Sequence, residues 1–206
     1  MTSIQPIRDP KTDHLLTPQN SLLTIIDYQP TQIHSINSMR TNRLVENIVL
    51  VAKIANAFGL PVVLSTVNVE NGRNKDTIEP IKEQLQGVPS YDRTAINAWE
   101  DAQYLAAVKE TGRKKLIICA LWTEVCLTLP TLDAIKDGYD VYPVVDAVGG
   151  TSYLAHKTGL RRMEQAGAKL VTIPQILCEL QRDWNRNATG PAYLDLMFAS
   201  GAFVKL

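Results

Sequence analysis

The chain has 206 residues, 45% of them hydrophobic and 20% charged, enough for one domain with a sizeable core. Its 21 basic and 21 acidic residues give a formal net charge of +0 with no basic stripe, which argues against a nucleic-acid partner. Met1 to Pro10 lacks an apolar signal region and no apolar run approaches membrane-spanning length; an odd set of three cysteines (Cys119, Cys126, Cys178) without C-x-x-C spacing suggests reduced thiols in a cytoplasmic compartment.

In chain order, Ser21 to Asp27 reads as a first, buried strand. About Thr41 to Phe58 reads as a helix, with Leu44, Ile48, Val51, Ala52 and Ala55 on one face and Gly59 as its natural stop. Pro61 to Val67 is a second strand, Asn68 to Asp76 a polar loop, Ile78 to Gln86 a short helix and Ser90 to Arg93 a third strand. Asn97-Ala-Trp-Glu100 resembles a capping box and opens a helix ending near Gly112. Leu116 to Cys119 is a fourth strand; Thr123 then caps a helix running towards Asp137 and Gly138. Val141 to Val145 is a fifth strand, Ser152 to Ala166 a helix closed by Gly167, and Leu170 to Ile173 a sixth strand. Pro174 starts a last helix that reaches about Trp184. The expected domain spans 1–206, with 1–20 as an N-terminal extension and 185–206 as an apolar tail.

Strands alternating with helices imply a three-layer α/β/α, Rossmann-like fold with a mainly parallel six-stranded sheet. An order 3-2-1-4-5-6 makes strands 1 and 4 neighbours where the order reverses, which is where such sheets bind ligands. Asp27 ends strand 1, Arg93 ends strand 3 on the same edge, and Cys126 follows strand 4 in the first turn of a helix. A thiol there faces unpaired N–H groups and the positive end of the helix dipole, which favour thiolate. The alternative for Cys126 is one more small buried residue, and for Arg93 an ordinary ion pair at a strand end.

Ile26-Asp27-Tyr28-Gln29 together with Thr123-Glu124-Val125-Cys126 resembles the isochorismatase-like cysteine hydrolases. Ile96-Asn97-Ala98-Trp99 and Glu179 to Trp184 resemble the YcaC-like branch of that family, and the likeness covers roughly Leu22 to Trp184. The resemblance implies an Asp–cation–Cys triad: Cys126 attacks a carbonyl carbon, Asp27 handles protons, and Arg93 stands where many members have lysine. Arginine cannot donate a proton near neutral pH, but it can grip a carboxylate with two parallel hydrogen bonds. The resemblance also implies a cis peptide at Leu121–Trp122, whose Trp122 N–H would join that of Cys126 in an oxyanion hole. Trp122 is bulkier than the small residue common at its position.

Tyr28, Gln29, Asn97, Trp99 and Trp122 are the candidate substrate contacts. Each has a structural alternative: Trp99 as a core anchor, Asn97 as a helix cap, Gln29 as a loop cap, Trp122 as packing. Glu124 could contact ligand or cap its own helix, and acidic residues are common caps in a first helical turn. None of His14, His34 and His156 is expected near the crevice, which disfavours a Cys–His dyad. Nicotinamidase-like members carry a zinc cluster after the second strand, but Asn68 to Lys75 has no histidine or cysteine, so no metal is expected. No G-x-G-x-x-G follows strand 1 and no cofactor is expected.

The expectation is a metal-independent cysteine hydrolase acting on a small amide-, carbamoyl- or related carbonyl compound through a thioester. Two competitors are a non-catalytic member that binds a small metabolite or serves as an oligomeric scaffold, and a redox sensor, which would need a resolving cysteine near Cys126. The apolar segment Tyr193 to Val204 would be a poor free end. It either packs on its own domain or lies in the contacts of a homo-oligomer, a state the resemblance also implies.

Overall fold

Five parallel strands build the sheet, and their sequences explain why it is buried on both faces. β1 (Ser21–Ile26) and β4 (Lys115–Ala120) are buried at every position. That is the pattern of central strands covered by helices on either side. The computed structural model describes residues 6–203. The first five residues of the N-terminal extension, and residues 204–206 at the end of the apolar tail, lie outside the described residues. β2 (Val62–Val67), β3 (Ser90–Arg93) and β5 (Asp140–Pro143) complete the order β3-β2-β1-β4-β5. The order reverses between β1 and β4, as the strand pattern predicts.

The expected sixth strand is reduced to a single bridge between Val144 and Val171. The segment does run beside β5, with the Val171 N–H on the Pro143 carbonyl at 3.0 Å and the Val145 N–H on the Val171 carbonyl at 2.8 Å. Thr172 ends it at once. Its side chain and that of Gln175 form a reciprocal capping box for the next helix, with Pro174 in the first turn. The helix start therefore claims the residues that a longer strand would need.

Helices α2 (Thr41–Phe58), α7 (Ile173–Gln181) and α8 (Gly190–Ala199) pack together on one face; α4 (Ala102–Glu110), α5 (Thr128–Lys136) and α6 (Tyr153–Gln165) cover the other. Two short helices complete the chain, α1 (Pro30–His34) between β1 and α2 and α3 (Glu79–Lys82) between β2 and β3. α1 is absent from the sequence reading; Pro30 in its first turn is the one signal for it. Gly59 ends α2 in the left-handed region at φ 63°, as its position predicts. The Asn97 box opens only a 3₁₀ turn, Ala98–Glu100. Asp101 caps α4 instead, accepting the N–H groups of Gln103 and Tyr104.

The last expected helix stops at Gln181, where Arg182 turns at φ 61°, and Trp184 is left 67% exposed. The tail folds back on its own domain. Tyr193, Leu196 and Met197 of α8 are buried, while Leu194 and Phe198 remain partly exposed. Among the described residues no helix is long and apolar enough to cross a membrane.

Candidate active site

Strand register brings the site together. Ile26 pairs with Ala120, so the residues that follow each of them, Asp27 and Leu121, leave the sheet side by side at its carboxyl edge. Val67 pairs with Arg93 two strands from β4. Asp27 adopts φ 61°, a left-handed conformation that aspartate tolerates better than most residues, and its N–H still joins the ladder on the Ser65 carbonyl at 3.0 Å.

Arg93 must reach across β2 to meet Asp27, and adjacent strands lie about 4.8 Å apart. It does so with both ends of its fork: Nη1 donates to Asp27 Oδ1 and Nη2 to Asp27 Oδ2, each at 2.7 Å. β2 supplies acceptors on the way. Nη1 also donates to the Ser65 hydroxyl at 3.2 Å and the Thr66 carbonyl at 2.9 Å, and Nη2 to the Ile96 carbonyl at 3.2 Å. Both side chains of the pair are fully buried. Burial works against the guanidinium charge, but the Asp27 carboxylate outweighs it and the Arg93 pKa is raised. Nε of Arg93 is buried with no partner.

Cys126 is 8% exposed and sits in a wide turn, Thr123–Leu127. Here the Leu127 N–H reaches back five residues to the Trp122 carbonyl, at 3.1 Å, before ordinary α-helix begins at Thr128. Thr123 does not cap this turn; Trp122 holds the N-cap position and its side chain makes no capping bond. The peptide between Leu121 and Trp122 is cis. Burial, then the facing Asp27 carboxylate, push the Cys126 thiol well above the range of ordinary thiols. The Arg93 charge and the backbone N–H of Trp122 oppose this without cancelling it. Burial and the facing carboxylate thus oppose the thiolate that the helix start favours. The helix dipole is too weak to offset burial beside an anion.

The other candidates divide. The Trp122 indole N–H donates to Ser35 Oγ at 2.6 Å, and the ring is only partly buried. Tyr28 is fully buried with its hydroxyl on the Ala147 carbonyl at 2.5 Å. Gln29 is also fully buried. It donates to the carbonyls of Val67 (3.1 Å) and Lys75 (2.6 Å) and accepts the Val67 N–H (3.0 Å), which fastens the 68–76 loop to the end of β2. Asn97 accepts the Trp99 N–H and donates to Asp133. Trp99 donates to Asp137 at 2.9 Å and packs edge-on against Tyr104 and Tyr139. Asn97 and Trp99 thus turn to α5, in the structural roles left open for them.

Glu124 does not cap its own helix. Its Oε1 accepts the N–H and the hydroxyl of Thr151, at 3.0 and 2.6 Å. One histidine comes closer than the sequence reading expects: Nδ1 of His156 lies 2.8 Å from Thr123 Oγ1, three residues before Cys126. α6 packs directly on the wide turn, which carries His156 there. Ser65, Thr66, Thr151 and His156 are thus site neighbours that the sequence reading misses. The polar pair Ser65-Thr66 inside an apolar strand is the one signal that marks any of them. Among the described residues no cluster of three histidine, cysteine, aspartate or glutamate side chains could hold a metal. Cavities of about 450 and 550 Å³ lie elsewhere, beside α3 and beside the N-terminal segment.

An isochorismatase domain model matches residues 21–175. The probable hydrolase YcaC of Escherichia coli is 34% identical over 180 residues, covering 87% of this chain and 86% of the relative. The crystal structure of the E. coli YcaC gene product, described as an octameric hydrolase of unknown specificity, superposes with a TM-score of 0.82 at 32% identity, over 94% of this chain and all of that one. YcaC from Pseudomonas aeruginosa, solved with hexane-2,5-diol and covalent acrylamide, gives 0.81 at 32% identity over 92% of this chain and 98% of that one.

Proposed function

This chain belongs to the isochorismatase family, and we propose that within it the protein is a metal-independent cysteine hydrolase of small amide-, carbamoyl- or related carbonyl compounds, with Cys126 as nucleophile, Asp27 as proton carrier and Arg93 as the fixed cation. The observation that carries this reading is the fully buried, two-pronged Asp27–Arg93 pair facing a nearly buried thiol. A buried ion pair is weak support for stability, so its presence beside a nucleophile favours a role in chemistry.

The high thiol pKa suits a concerted step. As Sγ of Cys126 attacks the carbonyl carbon, its proton passes to the Asp27 carboxylate, so no thiolate has to persist at rest. The carbonyl oxygen takes the negative charge and receives hydrogen bonds from the backbone N–H groups of Trp122 and Cys126. Collapse breaks the bond to the leaving amine, which takes the proton back from Asp27 and leaves a thioester. Water then attacks the thioester carbon, giving one proton to Asp27; the C–S bond breaks, the sulfur recovers that proton, and the acid product departs. Arg93 keeps Asp27 aligned between steps, a task that its always-charged fork performs without giving up a proton.

Trp122 would lie over the reacting carbon, and its bulk selects small substrates. Tyr28 and Gln29 serve by anchoring the chain on either side of Asp27 to the rest of the edge. The protein works in the reducing cytoplasm as a homo-oligomer, with the exposed side chains of Leu194 and Phe198 in its contacts. The octameric relative supports the oligomer.

Intact-protein mass spectrometry after incubation with acrylamide and a panel of small amides, carbamoyl compounds and nitriles tests the chemistry. The expected result is an adduct at Cys126 that forms well ahead of any on the exposed Cys178, is unaffected by EDTA and is absent from Cys126→Ala. Adducts confined to Cys119 or Cys178 would refute the assignment.

A further inference from the structure

The wide turn that carries Cys126 is short of the support an ordinary helix start has. Its N-cap side chain, Trp122, makes no capping bond. Support comes from behind. The Thr123 N–H donates to the Gly149 carbonyl at 2.9 Å, and Leu121 bridges to Gly149. Glu124, two residues before the nucleophile, holds both the N–H and the hydroxyl of Thr151 on one oxygen. The approach leaves no slack. A Cβ on Gly150 would lie 2.5 Å from Glu124 Oε2 and 3.0 Å from the His156 Cα. One on Gly159 would lie 3.0 Å from the Glu124 Cα and 3.1 Å from Thr128 Oγ1. The second carboxylate oxygen, Oε2, is buried and has no hydrogen-bond partner. A buried acceptor left empty at one end of a doubly bonded carboxylate suggests that this side chain is kept for where it holds the turn.

We infer that Glu124 is the positioning residue of the nucleophile, locking the Cys126 turn to the 149–151 loop and thereby holding Sγ against Asp27 and the Trp122 N–H. The inference rests on the cysteine hydrolase reading above. It assigns Glu124 no contact with substrate: its effect passes through Thr151 and the turn. Two further contacts belong to the same clamp, Thr123 Oγ1 with His156 Nδ1 at 2.8 Å and the Thr128 hydroxyl on the Thr123 carbonyl at 2.6 Å.

The test measures acrylamide addition to Cys126 in the full chain by peptide mass spectrometry, with the exposed Cys178 as an internal control. In the wild type a positioned carboxylate assists deprotonation, so the rate should be nearly flat between about pH 6 and 9. Glu124→Ala should slow Cys126 at least tenfold at neutral pH and give a profile that climbs with hydroxide, as for an unassisted thiol, while Cys178 is unchanged. Glu124→Gln keeps an acceptor for Thr151 and should recover most of the rate. Should Glu124→Ala fold poorly, Thr151→Val removes the hydroxyl bond alone and should give an intermediate rate with the same drift in profile. A role in stability only would lower the melting temperature and leave the pH profile flat, which overturns the inference. If the wild-type Cys126 is no more reactive than Cys178, the hydrolase reading falls and takes this inference with it. If it is reactive but indifferent to Glu124 and Thr151, the inference alone falls.

Discussion

The two halves of the sheet's carboxyl edge hold the proposed triad by different means. On the β1–β2–β3 side, Asp27 and Arg93 are fixed by strand register and by a network that occupies both carboxylate oxygens and both terminal guanidinium nitrogens. On the β4–β5 side, Cys126 rides on a turn that departs from α-helix and is braced by side chains from a loop and from α6. The first half is rigid because the backbone ladder is rigid. The second is rigid only so far as its clamps hold, and under the proposed mechanism Cys126, which accepts a carbon, carries it and releases it, is the group that gains from an adjustable mount.

Breaking the rigid half should have the largest effect. Asp27→Asn keeps the shape and removes the proton acceptor, so acylation of Cys126 should fall by about 10²–10⁴-fold. Arg93→Ala leaves the Asp27 carboxylate buried and unpaired, a loss of about 3–5 kcal/mol in the stability read by urea unfolding. Arg93→Lys keeps the charge without the fork and should sit between Arg93→Ala and the wild type on both measures. An Arg93→Ala protein as stable as the wild type would mean that the pair is not the anchor of this half.

The same contrast explains what could be read in the sequence. Asp27 and Cys126 follow strands whose apolar runs are plain, whereas Arg93 ends the short polar strand Ser90–Arg93, and the alternation of strands and helices brings all three to one edge. The sixth strand failed because Thr172, Pro174 and Gln175 carry a helix-start signal strong enough to override the β-prone Val171. The environment of the Cys126 thiol is hidden from the sequence for a different reason. A helix start can be seen in sequence, whereas burial at 8% exposure opposite a carboxylate cannot. Glu124 was placed in the first turn but given the wrong partner, since its bonds run to Thr151, distant in the chain. Gly149-Gly150 was visible only as a turn; that its narrowness admits Glu124 and His156 is a property of the packed structure.

An intermediate effect is expected from Gly159→Ala, which acts on the braced half. In the middle of a helix this change ordinarily stabilises by about 1 kcal/mol. Here the new Cβ would meet the Glu124 backbone at 3.0 to 3.2 Å, and overpacking of that kind costs about 1–3 kcal/mol. Backbone contacts cannot move aside as a flexible side chain could, so the net result should be destabilising by roughly 1 kcal/mol, the difference of those two effects. The melting temperature should drop and Cys126 labelling should slow together. A protein that is more stable and labels normally would show that α6 yields readily and that the brace is loose.

The smallest effect belongs to His156, and its sign follows from burial. Burial lowers its pKa from the ordinary 6.5, and the Glu124 carboxylate opposes this only in part. The folded protein therefore holds His156 neutral over a range in which the unfolded chain has already protonated it. Stability from this group is fully present above about pH 6.5. It declines as the pH falls below that value, until the folded state also takes up a proton. Once charged, the imidazole can only donate at Nδ1, so Thr123 Oγ1 must accept. The Thr123 hydroxyl can no longer give its proton to the ring, and any tautomer in which it did so is lost. His156→Gln keeps a polar group near Thr123 and cannot titrate. Thermal melts between pH 7.5 and 5.5 should show the wild type losing more stability than His156→Gln, with the two curves parallel above pH 7. Parallel curves over the whole range would mean that His156 carries no titrating contribution, leaving Glu124 and Thr151 as the operative part of the clamp.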